Sequence, residues 1–139
     1  MAIPRTNLHN SRVADQIRLN LIQLQQDMVR NALAHKAMAQ AQSPPLATLA
    51  TFIADTAASY LTRLQWVIDL QADPIKKARL VAIITSWGWT EADITDVVVA
   101  LRQAAIGLRD AQRTTYAQVI TACDALLAFV APPDSLWPE

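Results

Sequence analysis

Apolar residues recur at alternating spacings of three and four along most of this chain, and this periodicity constrains the fold more than any other feature. Such spacing places them on one face of an α-helix, which has about 3.6 residues per turn. It predicts four helices, over residues 11–42, 46–71, 74–86 and 91–130. The chain has only 2 Gly, whereas hairpins and sheets depend on tight turns that favour glycine. The sequence therefore predicts an all-α fold.

Proline, glycine and capping residues mark the boundaries between the predicted helices. Pro44 and Pro45 end the first helix, because proline lacks an amide donor and disfavours helix in the residue before it. Asp73 begins the third helix as an N-cap residue, with proline at the first helical position. Gly88 is suited to the left-handed conformation that closes a helix, and Thr90 caps the next one in a capping box.

The two longest predicted helices, 11–42 and 91–130, are expected to form an antiparallel pair, because short connections join antiparallel neighbours. We therefore expect a four-helix bundle-like domain over residues 11–130, which is long enough for one core. Extended arms containing proline, residues 1–10 and 131–139, are expected on either side of it.

Composition argues against several classes of function. The formal net charge is zero and charged residues make up 17% of the chain, whereas nucleic-acid-binding proteins usually carry a basic excess. A surface of low charge near neutrality favours association with other proteins. No apolar run approaches the roughly 18 residues of a transmembrane helix, and the N-terminus is too polar for a signal peptide. Protein partners are therefore expected, with neither nucleic acid nor membrane among them.

The side chains that carry out catalysis are scarce. The chain has two histidines, His9 and His35, one cysteine, Cys123, and two glutamates, and none of them has the spacing of a metal site. With two glycines, the chain also lacks a glycine-rich phosphate loop. The sequence therefore predicts no catalytic residue, no metal ligand and no cofactor.

Polar residues interrupt the apolar faces of the two long predicted helices. Asn31 and His35 lie on the first, and Gln112 and Thr115 on the last. One interpretation is a buried polar layer that fixes the register of the pair, as a single asparagine does in coiled coils. The other is that these positions rotate to the surface as the helix drifts from a heptad repeat. In a buried layer, protonation of His35 below its reference pKa of about 6.5 is expected to loosen the assembly.

Contact with other chains is predicted at three places. Pro4 and Leu8 lie in the N-terminal arm, and Leu136 and Trp137 lie in the C-terminal arm. A tethered tryptophan is a common interface anchor, although the arm could equally fold back onto its own bundle. The third place is a basic stripe on the last predicted helix, which would meet solvent, acids of a neighbour or nucleic acid: Arg102, Arg109 and Arg113.

Leu19, Ile22, Val29 and Leu33 are expected to widen the apolar face of the first helix on one flank. The small size, the helices rich in Ala and Gln, the terminal arms and the missing catalytic groups predict a non-enzymatic structural or assembly protein. The most concrete version is a multi-copy virion component of a tailed bacteriophage: a head–tail connector, neck, portal-associated or capsid-associated subunit. Its partners would be copies of itself and neighbouring virion proteins, and its location the virion, or otherwise the cytoplasm.

Two other classes of function fit the same sequence. One is a helical adaptor or regulatory binding module with a single defined partner. The other is a non-catalytic subunit of an enzyme, or one whose active site is completed by another chain, to which His35 or Cys123 would contribute.

Overall fold

The computed structural model describes the backbone of residues 5–130 and the side chains of residues 15–130. Within that range the chain is all-helical and bundle-like, without strands, which confirms the predicted fold class. The helices are α1 (Arg5–Ala41), α2 (Leu46–Ala72), α3 (Pro74–Ser86), α4 (Glu91–Asp110) and α5 (Tyr116–Val130).

The last predicted helix, residues 91–130, is in fact two helices, α4 and α5. The backbone turns extended at Ala111, with φ −64° and ψ 139°. Gln118 Oε1 then accepts a hydrogen bond from Thr114 N at 2.8 Å, and Thr115 Oγ1 accepts one from Gln118 N at 3.1 Å. Side chains that bind nearby backbone groups compete with helical hydrogen bonds. They start a new helix here, although the apolar spacing continues across the break.

The predicted N-terminal arm, residues 1–10, is helical from Arg5 onward. A proline ends the helix that precedes it but tolerates one that follows, so the backbone joins α1 as soon as Pro4 is passed. The C-terminal arm, residues 131–139, lies outside the described residues.

Contacts between α1 and α5 occur in opposite order along the two helices, so the pair runs antiparallel. Gln25 contacts Val130, Lys36 Nζ lies 2.8 Å from Asp124 Oδ1, and Tyr116 donates a hydrogen bond to the carbonyl of Pro44 at 2.9 Å, just beyond α1. The principal neighbour of α1 is thus α5, whereas α4 packs mainly against α2. Only the second half of the predicted fourth helix lies along α1.

One core joins side chains from all five helices. Its largest fully buried members are Ile17, Leu21, Leu24, Gln25, Met28, Leu49, Ile53, Leu64, Val67, Ile84, Ile94 and Leu101. The capping signals are confirmed: Asp73 accepts hydrogen bonds from two backbone amides of the first turn of α3, and Thr90 and Asp93 form the capping box of α4. Gly88, with φ 84°, follows α3 in the left-handed conformation that glycine favours.

Candidate interaction surfaces

The polar residues predicted to form one layer are separated in the structure. Asn31 Nδ2 donates a hydrogen bond to Tyr60 Oη at 2.8 Å, across the contact of α1 with α2. Gln112 and Thr115 are exposed in the connection between α4 and α5, so they do not meet Asn31 and His35 in a seam. The break after α4 explains this, because it removes both residues from any helix.

Beside Asn31, a charged cluster fixes α2 against α1. Asp27 accepts hydrogen bonds from Arg63 of α2 at 3.0 Å and from Arg30 at 2.6 Å. Tyr60, which is only 2% exposed, has its pKa raised, chiefly by burial. Because Tyr60 and Arg63 lie one turn apart on α2, the two pairs together set the register of α1 and α2.

His35 is half-buried on α1, and burial lowers its pKa below 6.5, because a charged imidazolium is poorly solvated there. The folded protein therefore binds this proton less readily than the unfolded chain does. Stability attributable to His35 is complete above the unfolded pKa of 6.5 and is lost as the pH falls towards the folded pKa.

We expect the thermal midpoint to fall between about pH 7.5 and pH 5, and replacing His35 with glutamine to remove part of that fall. Glutamine cannot take up a proton, so the unfolded state no longer gains one at this position. Circular dichroism melts of both proteins at each pH measure the difference. Parallel profiles for the two proteins would show that His35 does not contribute.

Gln25 is a buried polar residue that the sequence did not single out. It is 1% exposed, and its Nε2 donates a hydrogen bond to the carbonyl oxygen of Val130 at 2.9 Å. That carbonyl belongs to the last turn of α5, where helical carbonyls lack intrahelical partners. This hydrogen bond from Gln25 therefore holds the end of α5 against α1.

Four apolar residues and one glutamine form a stripe along one flank of α1; we call Leu19, Ile22, Gln26, Val29 and Leu33 the outer α1 face. Ile22 and Val29 are half-buried, and Val29 packs against the core. The spacing of its members is three, four, three and four, as in a coiled-coil seam. Leu19 is 58% exposed and Leu33 54%, so these two residues of the wider apolar face are not part of the core. They point away from the core that α1 shares with its neighbours.

Few charges border the outer α1 face. Between Arg18 and Lys36, the charged residues of α1 are Asp27 and Arg30, which pair with each other. Large exposed leucines in a stretch of low charge are characteristic of contact surfaces. Among the described surfaces, this one most resembles an unpaired helix seam.

A groove of about 300 Å³ lies between α4 and α5; we call it the α4–α5 groove. Its walls are formed largely by small side chains, including Ala104 and Gly107 of α4 and Ala125 of α5. No charged residue lines it. Phe129, 48% exposed, lies on the wall near the end of α5. The shape and the uncharged lining of the groove therefore suit an apolar side chain.

The three arginines of the predicted stripe differ in their local contacts. Arg102 is exposed, but Arg109 is paired with its neighbour Asp110, Nε to Oδ1 at 2.8 Å. That pairing raises the pKa of Arg109 and lowers the pKa of Asp110. Arg113 donates to the carbonyl of Leu108 and caps the end of α4. Two of the three guanidinium groups are thus engaged locally.

The candidate contact residues of the arms lie outside the part of the chain whose side chains the structure describes. Pro4, Leu136 and Trp137 lie outside the described residues, and for Leu8 the structure describes only a backbone within α1. Their predicted roles remain predictions.

No family model, curated protein or solved structure matches this chain.

The chemistry of the described side chains is limited. Cys123 is buried in the core, and burial raises its pKa to about 11, so little of it is thiolate near neutrality. Residues 15–130 contain no cluster of three or more side chains that could hold a metal ion. None of the helices between residues 5 and 130 is long and apolar enough to cross a membrane. The outer α1 face and the α4–α5 groove are the surfaces with the clearest binding character.

Proposed function

We propose that this protein is a non-enzymatic assembly component that works in several copies. The observation that supports it best is the outer α1 face, where Leu19 and Leu33 are each more than half exposed at heptad-related positions. A seam of this kind lowers its free energy by packing against a second helix. Gln26, at the middle of the seam, would set the register of that contact.

The size of the outer α1 face favours repeated contacts over a single dimer. Leu19 and Leu33 are 14 residues apart, about 21 Å along the helix. With a helix diameter of about 10 Å, the stripe falls well short of the roughly 800 Å² that each partner buries in a standard interface. In a closed ring each subunit makes contacts on two sides, so modest interfaces add up.

The most concrete form of this proposal is a virion component of a tailed bacteriophage, such as a head–tail connector, neck, portal-associated or capsid-associated subunit. Its support is the overall profile: the chain is rich in Ala and Gln, its net charge is zero, its described part is helical, and residues 15–130 contain no cluster that could hold a metal ion. The expected partners are other copies of the chain and neighbouring virion proteins.

Replacing both Leu19 and Leu33 with glutamate is expected to weaken the contact made by the outer α1 face, so that the mass of the protein in solution falls. The charges oppose burial in an interface, whereas the fold should lose no more than about 0.5 kcal/mol because both positions are exposed. Light scattering coupled to size exclusion gives the mass of each form, and urea unfolding gives the stability.

Ile75 provides the matched control. It is an aliphatic residue, 66% exposed, in the first turn of α3, and Ile75→Glu should leave the mass unchanged. A wild-type protein that is monomeric at all concentrations would overturn the multi-copy proposal and favour an adaptor with a different partner. A mass and association constant that the double substitution leaves unchanged would show that the outer α1 face is not a contact.

A further inference from the structure

We infer that the α4–α5 groove receives the C-terminal segment of a second copy of this chain, with Leu136 and Trp137 as the inserted side chains. This inference rests on the proposed multi-copy function and assigns two of its contact surfaces.

The groove has room and the right polarity for an apolar insert. Its volume of about 300 Å³ is at the lower end of the range for ligand pockets, about 300–1,000 Å³. A Cβ added at Gly107 would meet nothing within 4 Å, so the α4 wall is open to an incoming group. Ala125 and Thr121 are exposed on the facing wall of α5. The described part of the chain leaves this space unfilled.

The segment that follows α5 carries the matching side chains. In residues 131–139, Leu136 and Trp137 are the only large apolar residues. Tryptophan combines a large apolar surface with one N–H donor. The side-chain amide of Gln103, which also lines the groove, offers a carbonyl oxygen of the kind that an indole N–H binds. An uncharged, mainly apolar groove suits this pair better than it suits the acidic residues nearby in the segment.

The length of the segment allows the contact to be made within one chain or between two. Seven residues from Val130 to Trp137 span at most about 25 Å. The α5 side of the groove, from Gln118 to Phe129, is about 17 Å long. The length of the segment therefore allows insertion into its own groove and into the groove of another copy.

The start of the segment favours a second copy. Pro132 and Pro133 follow α5 almost directly, and consecutive prolines favour an extended polyproline conformation. To enter its own groove, the chain would have to reverse direction after them, leaving three or four residues for the return. In addition, Gln25 holds the carbonyl of Val130 against α1, so the point where the segment leaves the helix is fixed. Extension towards a neighbour requires no reversal.

A mixing experiment tests the inference in the full-length protein. Ala125→Arg blocks the groove and leaves the segment intact, while the double variant Leu136→Ser/Trp137→Ser removes the insert and leaves the groove intact. Each variant alone is expected to associate at least about tenfold more weakly than wild type, as for loss of an interface anchor. An equimolar mixture is expected to associate more strongly than either variant alone, because one intact groove and one intact insert remain to pair.

Controls separate blocking from misfolding. Ala128 is exposed on α5 but does not line the groove, so Ala128→Arg should keep the wild-type mass. If Ala125→Arg unfolds, as judged by circular dichroism, Gly107→Met fills the groove from α4 instead.

The outcomes distinguish the inference from the function on which it rests. A wild-type oligomer unaffected by Ala125→Arg and Gly107→Met would overturn the groove assignment and leave the multi-copy proposal intact. No regain of mass on mixing, together with lower stability of the segment variant, would show that the segment occupies its own groove. A monomeric wild type would overturn both.

Discussion

Replacing Gln25 with glutamate is expected to lower the free energy of unfolding by about 3–5 kcal/mol at pH 7, the usual result of an uncompensated buried charge. Gln25 is 1% exposed, and its amide donates to the carbonyl oxygen of Val130 at 2.9 Å. An ionised carboxylate cannot donate, so two oxygens that only accept hydrogen bonds would face each other in the core. Urea unfolding followed by circular dichroism measures the loss.

The pH dependence of this variant has a definite sign. Burial raises the pKa of a carboxyl group above its unfolded value of about 4.3. A protonated carboxyl can donate to Val130, so the deficit should be largest at neutral pH and shrink as the pH falls towards that value. Gln25→Leu, which keeps the volume and removes the amide, should cost about 1–3 kcal/mol with no such pH dependence. Equal stabilities of Gln25→Glu and wild type at pH 7 would contradict the buried contact.

The role of Gln25 shows where local pattern stops being informative. Its neighbours Leu24 and Met28 identify a buried face of α1 from the sequence alone. That a glutamine on this face contacts the end of α5 depends on which helix packs against α1 and in what register. Neither is encoded in the spacing of apolar residues within one helix.

Helix boundaries were predictable where proline, glycine or a capping box marks them. Asp73 and Thr90 cap α3 and α4 as expected, because their side chains bind backbone amides within the same turn. The break at 111–115 has neither proline nor glycine. It depends on Gln118, whose side chain accepts a hydrogen bond from the backbone amide of Thr114. In the sequence, this glutamine indicates a helix start less clearly than the continuing apolar repeat indicates one long helix. Because the sequence predicts one continuous helix over residues 91–130, it does not predict the groove between α4 and α5.

The outer α1 face illustrates a second limit. Apolar residues on α1 cover a wider arc than one packed face requires, and the sequence alone does not show which part of that arc is buried. In the structure α2, α3 and α5 all contact α1, yet Leu19 and Leu33 remain exposed. Periodicity indicates which face of a helix is apolar. The number and placement of the neighbouring helices decide which residues of that face are buried.

Leu24→Ala and Leu33→Ala make the same chemical change on opposite sides of α1, and we expect them to differ strongly. Leu24 is 1% exposed and Leu33 is 54% exposed. Truncating the buried leucine removes apolar contacts and leaves a cavity, which should lower the free energy of unfolding by about 2–5 kcal/mol. Truncating the exposed one should change it by no more than about 0.5 kcal/mol. Urea unfolding at low protein concentration, where association is minimal, measures both.

The effects on association should be in the opposite order, with the larger loss for Leu33→Ala. If Leu33 packs against another copy, its truncation weakens the oligomer, while Leu24→Ala should leave the association constant of the folded fraction close to wild type. Sedimentation at several concentrations, below the unfolding transition of the weaker variant, gives both constants. Equal losses of stability would mean that α1 does not have the buried and exposed sides described. Equal association constants for Leu33→Ala and Leu24→Ala would mean that Leu33 is not in a contact between copies. The α4–α5 groove would then be the better candidate for the principal interface.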